Sequence, residues 1–261
     1  VHKEGYSMIG GGIRRRGSQR IGWLELLDLT DDEQAAQRRR VQKMMNKRVY
    51  LAIKRTFDIV VASLLLILLS PLFLIIALAV KLDSPGPMIF VSPRAGKNGK
   101  SFSFFKFRSM YNGVNHLAAH QEFVKQYLNG DTENGASDHN GQHIFKPAII
   151  KQGVTPVGRI LRKTSLDELP QLINVLRGEM SLVGPRPPMP YELAYYKEWH
   201  MRRLDVTPGL TSLAQVNGRS SLPFDRSASL DIEYIENRTF WLDLRILLAT
   251  VPVILTMRDA G

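Results

Sequence analysis

Asp167 and Glu168 stand side by side in KTSLDELPQL, residues 163–172, an otherwise apolar stretch with Pro170 two residues further on. A carboxylate is ionised at neutral pH and attacks an electrophile without help from a general base, so adjacent acids can form a reactive pair. The same ten residues also have an ordinary reading. Ser165-x-x-Glu168 has the spacing of a capping box, in which the serine accepts from an orphan helix N–H and the glutamate reaches back to the cap. Asp167 in that first turn would sit well against the positive end of the helix dipole. On these residues alone both readings stay open.

Cations elsewhere in the chain fit a partner for such acids that is itself anionic. SLVGPRPPMP, residues 181–190, carries four prolines, which fix the backbone and hold Arg186 on a stiff loop. An arginine so placed loses little entropy on binding, and its planar fork suits a phosphate or a base. Asn217-Gly218 is a turn that puts Arg219 at a loop tip. Lys97-Asn98-Gly99-Lys100 separates the strand-like runs MIFVS and SFSFFKF, and Asn-Gly between such runs predicts a β-hairpin. Alternation along the second run puts Phe102, Phe104, Lys106 and Arg108 on one face. The two cations there are either solvated edge residues or a grip for phosphate.

These groups need an element that positions them, and the strongest one in the chain is apolar. Residues 59–80 are 22 consecutive residues without a charge. At about 1.5 Å per residue, a straight helix of that length would cross a hydrocarbon core of roughly 30 Å. Residues 38–55 carry eight Lys or Arg and no acid, and residues 81–108 carry six against the single Asp83. Lys and Arg favour the cytoplasmic side, and here both flanks ask for it. Ser70-Pro71 falls just past the middle of the run. Proline removes a helical hydrogen bond and bends the helix, and a serine hydroxyl can satisfy the freed carbonyl. A hairpin that enters and leaves by the cytoplasmic face reconciles break and charges better than a kinked bitopic span. Upstream, Thr30-x-x-Glu33 reads as the cap of a juxtamembrane helix drawn to anionic headgroups.

Composition narrows the field further. The 261 residues carry a net charge of +11, which implies an anionic partner: nucleic acid, an anionic membrane surface or a phosphorylated substrate. Nucleic acid is disfavoured, because the cations cluster beside the apolar run and no recognition module is present. With no cysteine there is neither a disulfide scaffold nor a thiolate metal site. His116/His120 and His139/His143 have helical spacing but lack a glutamate or third ligand, so no zinc site is assigned. There is no P-loop, no dinucleotide fingerprint and no GxSxG. The chain opens on Val1 and is read as truncated, without a cleavable leader, since GGGIRRRG replaces an apolar core there.

The stretches KRTFDIVVASLLLILLSPLFLIIALAVKLDSPGP, FVSPRAGKNGKSFSFFKFRSM, LRKTSLDELPQLINVLRGEMSLVGPRP and TPGLTSLAQVNGR, with IEYIENRTFWLDLRILL, follow one another in order over residues 54–250. They resemble the bacterial sugar transferases, the monotopic polyprenyl-phosphate phosphoglycosyl transferases. The resemblance implies transfer of a sugar 1-phosphate from a UDP-sugar donor to undecaprenyl phosphate with Mg²⁺, at the cytoplasmic face of the bacterial inner membrane. It implies Asp167 as nucleophile and metal ligand and Glu168 as its partner in a catalytic dyad. It puts Lys106, Arg162, Arg186 and Arg219 near phosphates and nucleotide, where the strand face adds Arg108, and Ser70-Pro71 at the break of a re-entrant helix. Ser212 in TSLAQ departs from the family's usual glycine, so that loop is expected to sit differently.

The fold expected is α+β and membrane-associated. Residues 1–49 form a flexible terminus and juxtamembrane helix, 50–82 a proline-broken re-entrant helix, and 83–261 a compact cytoplasmic catalytic domain with a β-hairpin, helices and amphipathic interfacial segments. Expected partners are the donor, the polyprenyl phosphate and membrane lipids, with no nucleic acid, and a homodimer is left open. The competing reading is a non-catalytic membrane-anchored scaffold for polysaccharide assembly, in which the acids are only a cap.

Overall fold

Pro71 has no N–H, so the carbonyl of Ile67, one turn earlier, loses its helical donor. In the computed structural model that carbonyl is taken by the Ser70 hydroxyl at 2.8 Å. Here helix α1 (Asp31–Leu68) gives way to α2 (Ser70–Asp83). The axes of Asn46–Leu68 and Ser70–Asp83 differ by 63°. Among the described residues no single helix is long and apolar enough to cross a membrane, but this bent pair passes that test together. The structure describes residues 31–112, 121, 153–218 and 222–255, with the backbone alone for 31–45 and 255. The predicted features at 1–22, Thr30, the four histidines between 116 and 143, the polar loop at 129–143 and Arg219 lie outside that set.

The bent pair is apolar on two faces. Ala62, Ile76 and Val80 are buried against the rest of the protein, whereas Ile67, Leu68, Leu74 and Leu82 are each more than 70% exposed. Leucine and isoleucine exposed in such numbers along one element are what a lipid-facing surface requires.

The chain divides into two units, Val1–Val49 and Tyr50–Gly261, and the second contains the hydrophobic cores. Its hairpin pairs β1 (Ile89–Ala95) with β2 (Ser101–Phe107) in antiparallel register, Ile89 opposite Phe107 and Ala95 opposite Ser101. Asn98 and Gly99 both adopt positive φ, 57° and 73°, as the Asn-Gly signal predicts. The first strand runs three residues beyond MIFVS, taking in Pro93 and Arg94. Proline is tolerated there because β1 is an edge strand, paired only with β2 in its sheet.

Helices α3 (Pro156–Thr164) and α4 (Gln171–Arg177) follow, then the short parallel pair of β3 (Ser181–Val183) and β4 (Gly209–Thr211). After them come α5 (Leu213–Val216), α6 (Phe224–Asn237) and α7 (Phe240–Leu255). The main core joins Ala62 of α1, Phe104 of β2, Leu172 and Val175 of α4, Leu182 and Val183 of β3, Tyr234 of α6 and Ile246 of α7. Within the core, Asp243 of α7 accepts from Tyr50 and Lys54 of α1, both at 2.9 Å, and from Tyr234 at 2.7 Å. Burial and the neighbouring Asp243 raise the Tyr234 phenol, which keeps it a donor. On its other side α7 leaves Trp241, Leu248 and Val251 exposed, so the closing helix both packs on the core and presents an apolar face.

A second, smaller core matters most for position. Ile76 and Val80 of α2 meet Phe107 of β2 and Leu161 of α3, with Leu166 and Leu169 packed against them. Those two leucines bracket Asp167 and Glu168.

Candidate active site

The acids occupy a 3-10 turn, Leu166–Glu168, between α3 and α4. Ser165 stands at the start of this turn but makes no side-chain cap bond. It takes the left-handed conformation (φ 57°) that closes α3, its N–H donating to Arg162 O at 3.2 Å, and its side chain caps nothing. The predicted capping box is therefore absent, since the Glu168 carboxylate is engaged elsewhere. Gly178, also left-handed, ends α4 after only seven residues. The helix that the cap reading starts at Ser165 is instead a tight turn followed by a short helix, with Leu166 and Leu169 packed toward α2 while Asp167 turns inward. Asp167 is 5% exposed.

Lys106 of β2 reaches the pair. Its Nζ lies 2.7 Å from Glu168 Oε1 and 3.4 Å from Asp167 Oδ2. Arg186 Nη2 lies 2.9 Å from the same Glu168 Oε1. Burial alone would raise Glu168, but the charges and hydrogen bonds of Arg186 and Lys106 outweigh it and hold this carboxyl far below the usual range. Asp167 goes the other way. Burial lifts it above the usual aspartate range and Glu168 adds to the lift, while Lys106, Arg162 and Arg186 oppose it. Burial also lowers the Arg162 guanidinium, against the pull of Asp167.

Each cation is fixed by its own support. Asn174 of α4, completely buried, accepts from Phe105 N at 3.1 Å and donates to Ser103 O at 2.6 Å, so the strand carrying Lys106 is locked to the helix that follows the acids. Its amide also donates to Glu179 at 2.7 Å. The Arg186 loop leaves β3 where Gly184 and Gly209 meet backbone to backbone. A Cβ on Gly184 would lie 2.6 Å from Thr207 O, so neither chain could approach with a side chain in the way. Ser212, where a glycine was the expectation, sits in ordinary extended backbone (φ −145°) and accepts from Gln215 N at 3.0 Å as the N-cap of α5. The loop has no need of a glycine there.

The structure brings together Asp167, Glu168, Lys106 and Arg186, with Arg162 facing Asp167. Arg108 stands apart from this group. Its guanidinium is buried and donates to Val80 O at 2.9 Å, Ser84 O at 2.6 Å and Pro85 O at 3.1 Å. It binds the C-terminal carbonyls of α2 and does not join Lys106, because β2 ends at Phe107 and alternation stops there. Arg94 was missed. Strand register puts it opposite Phe102, on the face shared with Phe104 and Lys106, and extending the hairpin by three residues would have found it. Among the described residues no three acidic or histidine side chains cluster as a metal cage. Mg²⁺ is commonly held by one or two carboxylates plus substrate phosphates, and Asp167 with Glu168 fits that donor set.

The two carboxyls should titrate in well-separated steps, with Glu168 losing its proton first. Glu168 is lowered on folding, so its stabilisation is complete above the ordinary glutamate range and fades as pH falls through the depressed value. Asp167, raised, weakens the fold as pH climbs from the ordinary aspartate range to its raised value. Lys106→Met should move both carboxyls upward, because Lys106 lowers each. Carboxyl ¹³C shifts followed against pH read this directly, and an unmoved Asp167 would contradict the geometry.

Comparison with known proteins follows the same residues. The family model for bacterial sugar transferases matches residues 49–257. The undecaprenyl-phosphate galactose phosphotransferase of Salmonella typhimurium is 42% identical over 83% of this chain and 43% of its own length. The UDP-glucose:undecaprenyl-phosphate glucose-1-phosphate transferase of Caulobacter vibrioides is 42% identical over 79% of this chain and 71% of its own. The exopolysaccharide production protein ExoY of Rhizobium meliloti is 39% identical, over 79% and 87% respectively. The chain thus spans less than half of the Salmonella protein and most of the Rhizobium one. With a match across residues 49–257 that includes the acid turn, Lys106 and the Arg186 loop, this chain belongs to the bacterial sugar transferase family.

Proposed function

We propose that this protein transfers a sugar 1-phosphate from a UDP-sugar to undecaprenyl phosphate, releasing UMP, as an initiating step of exopolysaccharide or other glycoconjugate synthesis. The observation that carries the reading is the buried acid turn, where Asp167 lies beside a glutamate that is already neutralised by Lys106 and Arg186. Relatives named for galactose and glucose phosphate transfer to the same lipid support it.

In the first step an Asp167 oxygen forms a bond to the donor's β-phosphorus, and the bond from that phosphorus to the bridging oxygen breaks. UMP leaves with the bond's electrons, and Asp167 carries the sugar phosphate as an acyl phosphate. In the second step a phosphate oxygen of the lipid attacks the same phosphorus and frees the Asp167 carboxylate. Burial works against an ionised Asp167, and Lys106 and Arg162 work for it. Glu168, held ionised, anchors Arg186 and Lys106 where the diphosphate charge must be met. Asp167, with Glu168 beside it, would hold Mg²⁺, which when bound would supply further neutralisation of that charge.

Access to the lipid comes from the bent helix pair. A re-entrant α1–α2 anchored at the cytoplasmic face of the bacterial inner membrane would keep Leu166 and Leu169, and so the acids between them, against the element that meets the headgroups.

Purified protein in detergent or nanodiscs, given Mg²⁺, undecaprenyl phosphate and UDP-glucose or UDP-galactose, should release UMP. Asp167→Asn should lower turnover by at least about a thousandfold while the protein stays folded. Full activity in that variant would rule out Asp167 as the nucleophile, whereas no UMP release by the parent protein would leave the scaffold reading standing. For topology, single cysteines placed at residues 47 and 97 should both react with an impermeant probe only from the cytoplasmic side. Labelling of one from outside would mean a bitopic span.

A further inference from the structure

The loop that carries Arg186 is nearly devoid of backbone donors, since Pro185, Pro187, Pro188 and Pro190 have no N–H. It is held instead through its carbonyls, one after another. Gly209 N donates to Pro185 O at 2.9 Å, Arg203 Nη2 to Arg186 O at 3.4 Å and Arg94 Nη1 to Pro187 O at 3.3 Å. Ala95 N donates to Pro188 O at 2.9 Å and Glu192 N to Met189 O at 3.0 Å. Consecutive residues of β1, Arg94 and Ala95, therefore grip consecutive carbonyls of the loop, directly after Arg186.

Arg94 is placed for this by the ring that also seats Lys106. Its guanidinium carbon lies 5.1 Å from the centroid of buried Phe104, and Lys106 Nζ lies 5.6 Å from the same centroid. One hairpin face thus carries a cation that reaches Glu168 directly and a second that reaches the loop bearing the other cation on Glu168. Arg94 gains little for itself there. Its buried Nε has no partner among the described residues. Burial, with the neighbouring Arg186 charge, lowers the guanidinium to about 10 against the pull of Glu192 and Glu168. A buried cation kept beside a like charge with one donor unanswered is a local cost, of the kind that clusters where function demands it.

We propose that Arg94 is a positioning residue for the transfer: by holding the Pro187 carbonyl on the hairpin, it sets Arg186 against Glu168 Oε1 opposite Lys106. This inference rests on the proposed function for its kinetic consequences, but the hold itself is a property of the loop. An apolar side chain at position 94 could still cover Phe104 without fixing the loop, so the guanidinium and the stem can be tested apart.

The experiment compares Arg94→Met, Arg94→Lys, Arg186→Ala and the double variant Arg94→Met/Arg186→Ala in the full chain, in nanodiscs. UMP release gives kcat and the donor KM, and hydrogen exchange gives the protection of the Ala95 and Glu192 amides, which donate to the loop carbonyls, with the Phe105 amide as a control for folding. Arg94→Met should lower kcat/KM on the order of tenfold, the worth of one hydrogen bond from a charged group, mainly through the donor KM. Arg94→Lys should recover part of that loss. In the Arg186→Ala background the same change should cost almost nothing, because the group being positioned is gone. The Ala95 and Glu192 amides should exchange faster in Arg94→Met, with Phe105 unchanged. Equal losses in both backgrounds, or unchanged exchange at Ala95 and Glu192, would overturn the proposal. Should the parent protein release no UMP from any donor, the proposed function falls, and the exchange rates alone decide whether Arg94 holds the loop.

Discussion

Two cations converge on one oxygen, Glu168 Oε1, with Lys106 at 2.7 Å and Arg186 at 2.9 Å, and Asp167 stands beside them almost out of contact with water. Neighbouring carboxylates in a buried turn repel each other and lose hydration, so the arrangement survives only if positive charge is delivered from elsewhere in the chain. Lys106 comes from a hairpin some sixty residues upstream in sequence, and Arg186 from a proline-stiffened loop downstream. Much of the fold is the machinery of that delivery. Asn174 registers the hairpin on α4, Gly184 and Gly209 let the β3–β4 backbones meet, and the loop carbonyls are taken up one by one. The outcome is a division of labour between like groups: Glu168 is held ionised and becomes a fixture, whereas Asp167 keeps an elevated proton affinity and a nearby cation at 3.4 Å.

The same turn is tied to the apolar helix pair. Leu166 and Leu169 lie in the small core built on Ile76 and Val80 of α2, so the acids cannot shift without disturbing that helix. Arg108 closes α2 by binding its last carbonyls, and Ser70 answers the carbonyl that Pro71 strands. Break, helix end and acid turn form one rigid path from the apolar surface to the reactive groups. In the proposed transfer between a nucleotide sugar and a lipid phosphate, that path would let the acceptor headgroup stay at the interface.

Much of this was legible in the residues. The break at Ser70-Pro71 follows from a missing N–H, and the hairpin from Asn98-Gly99, because both signals are local. Glu168, Lys106 and Arg186 were picked out by motif, although their sharing of one oxygen depends on contacts 62 and 18 residues apart in sequence. The failures have the same origin. Ser165-x-x-Glu168 matches a cap by spacing, but tertiary charge captured the glutamate and the chain chose a left-handed serine instead. Arg108 looked like a continuation of the Lys106 face, yet the strand ended one residue before it and the helix terminus behind it engaged both Nη1 and Nη2 of its fork. Arg94 was hidden because the first strand was ended at Ser92, three residues short of its partner's register.

The central claim is that Asp167 bears the sugar phosphate during turnover, and it is tested most directly by withholding the acceptor. Protein incubated with Mg²⁺ and a turnover-competent UDP-sugar, without undecaprenyl phosphate, should release UMP only up to the amount of enzyme. Rapid acid quench, digestion and mass spectrometry should then find a hexose phosphate on the peptide containing Asp167, and added undecaprenyl phosphate should discharge it. Lipid-dependent turnover with no such adduct, and no UMP released before the lipid is added, would mean direct transfer between the two substrates and would contradict the account.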